Sequence, residues 1–202
     1  MTLLFRLSSY LFHPIWMPFL GTLFYFLVTP RFFPRQVVEA KLLAVCIMTI
    51  FIPIVFYFML RNLGRARSIF LELPQERVLP LLFTTALNVV ILKFVFNAFD
   101  YPELYYFFFG ILISGILGLL FLLLKQKVSL HMIGLGGITT FIALLGIHFN
   151  LDLTYTVSFL VIATGLTGSS RLFYDAHTGL ELLMGLITGI LPQLVLGVIW
   201  LE

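Results

Sequence analysis

The chain has 202 residues, 61% of them hydrophobic and only 10% charged, with a mean hydropathy of +1.10. A soluble domain is nearer half apolar and a quarter charged, so this excess exceeds what one small core can bury and calls for a bilayer as solvent. The net charge of +3, from 12 basic and 9 acidic residues, suits membrane surfaces and anionic headgroups, and no Lys/Arg run of the nucleic-acid-binding kind is present.

A span needs about 20 mostly apolar residues to cross about 30 Å of hydrocarbon. The start, Met1 to Leu11, lacks a small-residue cleavage site and does not read as a signal peptide. Residues 2–11 read as a short interfacial lead-in, and the first span as Phe12 to Val28. The second is Val37 to Leu60, with Pro53 inside it and the lone Cys46, which offers neither a disulfide framework nor a metal cluster. A polar segment follows, Arg61 to Arg77. The third span is Val78 to Phe96. Asp100, Pro102 and Glu103 then form a tight acidic turn before the fourth, Leu104 to Leu124. The fifth is Ser129 to Ile147, the sixth a short Leu153 to Thr167, and the seventh Thr178 to Leu201, kinked at Pro192.

The continuous apolar runs argue against a barrel. The chain therefore reads as an all-α, polytopic transmembrane helix bundle of about six to seven spans, forming a single domain over 1–202. Glycines cluster in the later spans (Gly110, Gly115, Gly118, Gly134, Gly136, Gly137, Gly185, Gly189), as expected for close helix packing. The aromatic run Tyr105 to Phe109 reads as lipid-facing bulk or an interfacial belt, not an aromatic cage.

Ionisable groups are costly in a membrane, so their grouping is informative. With seven spans, one end of the bundle collects Arg6, Arg61, Arg65, Arg67, Arg77, Lys125, Lys127, His131, Arg171, Asp175, His177 and Glu181. The other end collects Arg31, Arg35, Glu39, Lys41, Asp100, Glu103, His148 and Asp152. Positive charge favours the cytoplasm. Without Arg77, Lys127 and Arg171, however, the margin is five cations against three, and the orientation stays open. His13 and His148 read as interfacial residues, and Asp175 as a cap of the last helix.

Three segments of the basic end carry reactive groups: Leu73 to Pro80, Lys127 to His131, and Ser170 to Glu181. His177 and Glu181 are four apart at a helix start, which places them on one face. A carboxylate on one imidazole nitrogen fixes the tautomer and leaves the other nitrogen to attack. Arg171 can grip phosphate oxygens with two hydrogen bonds, and the helix start adds N–H donors. Ser129 can donate to phosphate, Lys127 can neutralise charge, and His131 can protonate a leaving oxygen.

The third segment resembles the pattern S-R-x5-H-x3-D of the type 2 phosphatidic acid phosphatase superfamily, with Glu181 in place of Asp. The second is similar to that family's P-S-G-H, kept as Ser129 and His131, with Leu130 at the glycine. Of K-x6-R-P only Arg77 remains: Phe70 stands at the lysine, and Pro80 lies two residues late. The resemblance covers residues 61–190, after the N-terminal spans of 1–60. It implies a metal-independent phosphatase, without a cofactor, acting on a lipid or polyprenyl phosphate monoester. His177 would form a phosphohistidine, Glu181 orient it, His131 protonate the leaving alkoxide, and Arg77, Lys127, Ser129 and Arg171 bind the phosphoryl oxygens. His131, His177 and Arg171 are then expected to converge on one phosphate-sized space. The implied partners are a lipid phosphate within the bilayer and membrane lipids, not nucleic acid; a homo-oligomer is compatible with this, and the expected location is a bacterial inner membrane. Two alternatives stay open: a phosphotransferase, and a catalytically degenerate lipid-binding member of the same fold.

Overall fold

The structure, a computed structural model, describes residues 2–65 and 74–201. Among these residues there are helices and no strands. In order they are α1 (Thr2–Leu11), a 3-10 turn (Pro14–Trp16), α2 (Met17–Val28), α3 (Arg35–Cys46), a π turn (Ile47–Phe51), α4 (Ile52–Asn62), α5 (Pro74–Phe94), α6 (Pro102–Leu123), α7 (Leu130–His148), α8 (Thr154–Phe173) and α9 (Gly179–Leu201). Among the described residues seven segments are long and apolar enough to cross a membrane: Leu3–Val28, Arg35–Asn62, Gln75–Phe94, Pro102–Leu123, Leu130–His148, Thr154–Phe173 and Gly179–Leu201. The protein is an all-α, multi-pass membrane helix bundle.

Prolines mark the breaks. Pro14 opens the 3-10 turn that separates α1 from α2. Pro53 has no N–H to give and crowds the carbonyl four residues back, Thr49, and the helix widens there into the π turn Ile47–Phe51.

Four elements differ from the sequence expectation. Residues 3–11, expected as an interfacial lead-in, are helical and belong to the first span-length segment, Leu3–Val28. The sixth span does not stop at Thr167 but runs to Phe173. Its polar end stays helical because Ser170 and Arg171 are buried, with Ser170 Oγ donating to Phe5 O at 2.7 Å. Arg77 lies in the first turn of α5 rather than in a loop; Arg67 and Phe70 fall outside the described residues. In the aromatic run, Phe107 and Phe108 face the core, 1% and 0% exposed, and Phe107 stacks on Phe141 with centroids 4.1 Å apart. Hydropathy alone cannot separate a lipid-facing ring from a protein-facing one.

The core is built around α7, which packs along α9. Glycine makes this approach feasible: a Cβ on Gly189 would lie 2.2 Å from Ile133 O, and one on Gly185 2.6 Å from Ser129 O. Backbone contact of this kind is how helices associate where lipid and leucine are equally apolar.

At the end opposite the basic segments, the acidic turn divides. Asp100 stays exposed and accepts from Asn97 Nδ2 at 2.8 Å. Glu103 enters the first turn of α6 and is fully buried. It accepts from Arg31 at 2.7 Å, from His148 Nε2 at 3.1 Å and from Tyr25 Oη at 3.2 Å. His148 is thus a partner of a buried carboxylate, not a solitary surface residue.

Candidate active site

Two of the three segments that carry the reactive groups follow the same backbone device. Helix α6 ends with Lys125 at φ 58 and α8 with Asp175 at φ 49. In each, paired bonds close the helix: Gln126 N to Phe121 O at 2.8 Å with Lys125 N to Leu122 O at 3.1 Å, and Ala176 N to Arg171 O at 3.0 Å with Asp175 N to Leu172 O at 3.0 Å. This is the Schellman pattern. Asp175 therefore terminates α8 rather than capping α9. The left-handed residue turns the chain sharply, so Lys127 and His177 each follow within two residues.

The next helix starts immediately. Thr178, Gly179, Leu180 and Glu181 form a capping box: Glu181 N donates to Thr178 Oγ1 at 3.3 Å and Thr178 N to Glu181 Oε2 at 3.3 Å. The same Oε2 accepts from His177 Nδ1 at 2.8 Å. The two segments are also joined to each other, by Ser129 N to Glu181 O at 3.2 Å and Lys127 Nζ to Ala176 O at 2.7 Å. Arg77 reaches the same junction, with one guanidinium nitrogen 3.5 Å from Val128 O.

Beside this junction lies a cavity of about 520 Å³, lined by Arg6, Ser9, Tyr10, Arg77, Lys127, Arg171, Tyr174, Asp175 and Ala176. Arg77, Lys127 and Arg171 meet there although they come from the start of α5, the α6–α7 connection and the end of α8. The imidazoles sit in the next layer. His177 follows the lining residue Ala176 and is 6% exposed. Burial, set against the hydrogen bond that His177 gives to Glu181 and reinforced by Arg77, Lys127 and Arg171, pushes its pKa down to about 4. It is a neutral imidazole at physiological pH, with Nδ1 engaged and Nε2 as the nitrogen left for chemistry.

His131 is also 6% exposed. Its Nε2 lies 3.1 Å from Ser9 O; a carbonyl can only accept, so Nε2 carries the proton. His13 meets it edge-on at 5.3 Å. Ser129 is fully buried, and among the described residues its Oγ has no hydrogen-bond partner. Arg171 thus lines the cavity, while neither His131 nor His177 forms part of its lining.

The N-terminal helix contributes wall residues that the motifs do not contain. Helix α1 packs on α8, with Ser9 Oγ donating to Ser170 Oγ at 2.9 Å. This brings Arg6, Ser9 and Tyr10 over the cavity. Only the placement of Arg6 at the basic end hinted at this in the sequence. The wall is cationic, which suits an anion, and among the described residues no three His, Cys, Asp or Glu side chains are grouped to hold a metal ion. No family model, curated relative or solved structure matches the chain.

Proposed function

We propose that the protein is a membrane phosphatase that hydrolyses a lipid or polyprenyl phosphate monoester through a phosphohistidine. The observation that carries this reading is the His177–Glu181 pair beside a cavity walled by Arg77, Lys127 and Arg171. A phosphate in that cavity is held by charge-assisted hydrogen bonds, while its hydrocarbon remains among apolar helices. His177 Nε2 attacks phosphorus and the P–O bond to the lipid alcohol breaks. The electron pair leaves with the alkoxide, which takes up a proton. Water then attacks the phosphohistidine, phosphate departs, and His177 returns to neutrality. Glu181 holds Nδ1–H and stabilises the positive charge that develops on the ring. The three cations stabilise the charge on the phosphoryl oxygens, and Ser129 Oγ, buried outside the cavity lining, supplies a neutral donor only once substrate entry uncovers it.

His131 is the residue proposed to protonate the leaving alkoxide. In the structure its Nε2–H points at Ser9 O, so this role requires α1 to release it when substrate enters and Nδ1 to take up a second proton. An imidazolium then gives its proton to the alkoxide and returns to the neutral ring. A helical bundle rather than a barrel suits a bacterial inner membrane, which is the location we propose.

The decisive experiment is phosphate release from a panel of lipid phosphates by the purified protein, run beside His177→Ala. The variant should lose turnover; normal turnover would end the phosphohistidine mechanism. Transfer of phosphate only when a second acceptor is added would identify a phosphotransferase instead. A second reading, an anion-binding protein without turnover, is favoured by the withdrawal of both imidazoles from the cavity lining. It predicts phosphate binding but no release by the unmodified protein.

A further inference from the structure

A second cavity, of about 660 Å³, lies in the membrane-spanning part of the bundle. Its walls come from the end of α1, the 3-10 turn with the start of α2, the π turn with α4, and α5, α6 and α7, with Gln193 from α9, and they are mostly apolar. Tyr10 and Arg77 line both this chamber and the cationic cavity, so the two share a wall at the phosphate end. Trp16, Ile54 and Phe58 line the chamber and are also exposed, on a surface that faces hydrocarbon. A methylene takes roughly the room of a water molecule, ~30 Å³, so the chamber holds about twenty of them: one long chain, not two.

Of the polar side chains in the wall, Asn88 and Thr49 carry buried atoms without a hydrogen-bond partner among the described residues. Asn88 is 8% exposed, and its Nδ2 donates to Thr84 O at 2.8 Å. Among the described residues its Oδ1, and the Oγ1 of Thr49 in the π turn, are buried with no hydrogen-bond partner. Both residues line the chamber. Buried polar groups are normally satisfied, and π turns recur at functional positions. An acceptor such as Asn88 Oδ1 calls for a donor. Eleven residues separate Asn88 from Arg77 on α5, about 16 Å at the helical rise.

We propose that the chamber binds a single hydrocarbon chain carrying a hydroxyl or amide N–H near its middle, its phosphate lying in the cationic cavity. Asn88 accepts from that group, and Thr49 completes its environment. The proposal rests on the reading above only for the phosphate end.

The test uses the full chain in phosphatidylcholine nanodiscs and two non-hydrolysable single-chain alkyl phosphonates of equal length, one bearing a mid-chain hydroxyl. The hydroxylated probe should bind about five- to tenfold more tightly, the effect of one recovered buried hydrogen bond. In Asn88→Leu the ratio should fall to about one. Equal binding to the unmodified protein, or a preference that survives Asn88→Leu, overturns the proposal. A photoreactive group at mid-chain gives a readout that needs no variant. It should crosslink to the π turn or α5, and labelling confined to other helices overturns the assignment. Phosphate release from a short soluble ester is measured on the same preparation. Release without chain preference sinks this proposal alone, and preference without release sinks the phosphatase reading alone.

Discussion

Glu181 Oε2 accepts from His177 Nδ1 at 2.8 Å and from the Thr178 backbone N–H at 3.3 Å. One carboxylate oxygen therefore both starts α9 and fixes the tautomer of the imidazole. The two jobs can be separated. Gln satisfies a capping box at this position as Glu does, but it carries no charge to stabilise an imidazolium. Glu181→Gln should keep the thermal midpoint and lower kcat by about 10²-fold, the lower end of what a positioned proton partner contributes. Glu181→Ala should lose the cap as well, costing a further ~1 kcal/mol of stability. Equal kcat in Glu181→Gln and the unmodified protein would show that the pair has no part in turnover.

The field around His177 sets a pH dependence with a definite sign. Burial, helped by Arg77, Lys127 and Arg171, places its pKa at about 4, below the ordinary 6.5. On the proposed mechanism the neutral ring is the nucleophile, so the acid limb of kcat/KM that His177 contributes should lie near the lower value. Arg171→Leu removes a cation that opposes protonation and should move the limb upward. Glu181→Gln removes the interaction that favours protonation and should move it downward. Comparing variants on one substrate cancels the substrate's own titration. The same shift acts on the fold. Because the folded pKa is below the unfolded one, the unfolded chain gains protons first, and stability should fall as pH drops from about 6.5 towards 4. Limbs that do not move apart in the two variants would contradict this electrostatic account.

His131 offers a test of the leaving-group step. An alkoxide needs a proton as it departs, whereas a nitrophenolate does not. His131→Ala should therefore slow release from an alkyl phosphate by about 10²-fold and barely affect release from an aryl phosphate. Equal slowing of both would make His131 a structural residue that ties α7 to α1 through Ser9 O.

The spans were legible because hydropathy reports the solvent of a whole segment. The sharpest part of the site was legible because it is local: His177 and Glu181 are one helical turn apart, and their pairing needs no knowledge of the fold. Arg6, Ser9 and Tyr10 were not legible in the same way. Their place in the cavity wall depends on α1 docking on α8, 161 residues away in the case of Ser9 and Ser170, and no short motif encodes that contact. The polar end of α8 is hidden from hydropathy for a related reason. Gly168 to Arg171 look like loop residues until Ser170 finds Phe5 O. Phe107 and Phe108 show the remaining limit. Apolar rings satisfy lipid and protein equally, so their orientation is set by packing against Phe141 and Phe96 and not by their hydropathy.

Glu103 makes the last prediction, because its partners could not be read from spacing. It is fully buried, and Arg31, His148 and Tyr25 converge on it from other elements. Removing one member of a buried ion pair leaves the other uncompensated, at a cost of about 3–5 kcal/mol. The Arg31 side chain is 39% exposed and can recover some hydration, so Glu103→Ala should lie at the lower end, about 3 kcal/mol. Glu103→Gln keeps the acceptor oxygen and should lose less. The cluster stands at the opposite end of the bundle from His177. The surviving folded protein should therefore release phosphate with unchanged KM and kcat while its thermal midpoint falls. A specific loss of kcat at constant stability would mean that the two ends are coupled through α6 and α7, and that Glu103 is more than a clasp between α2, α6 and α7.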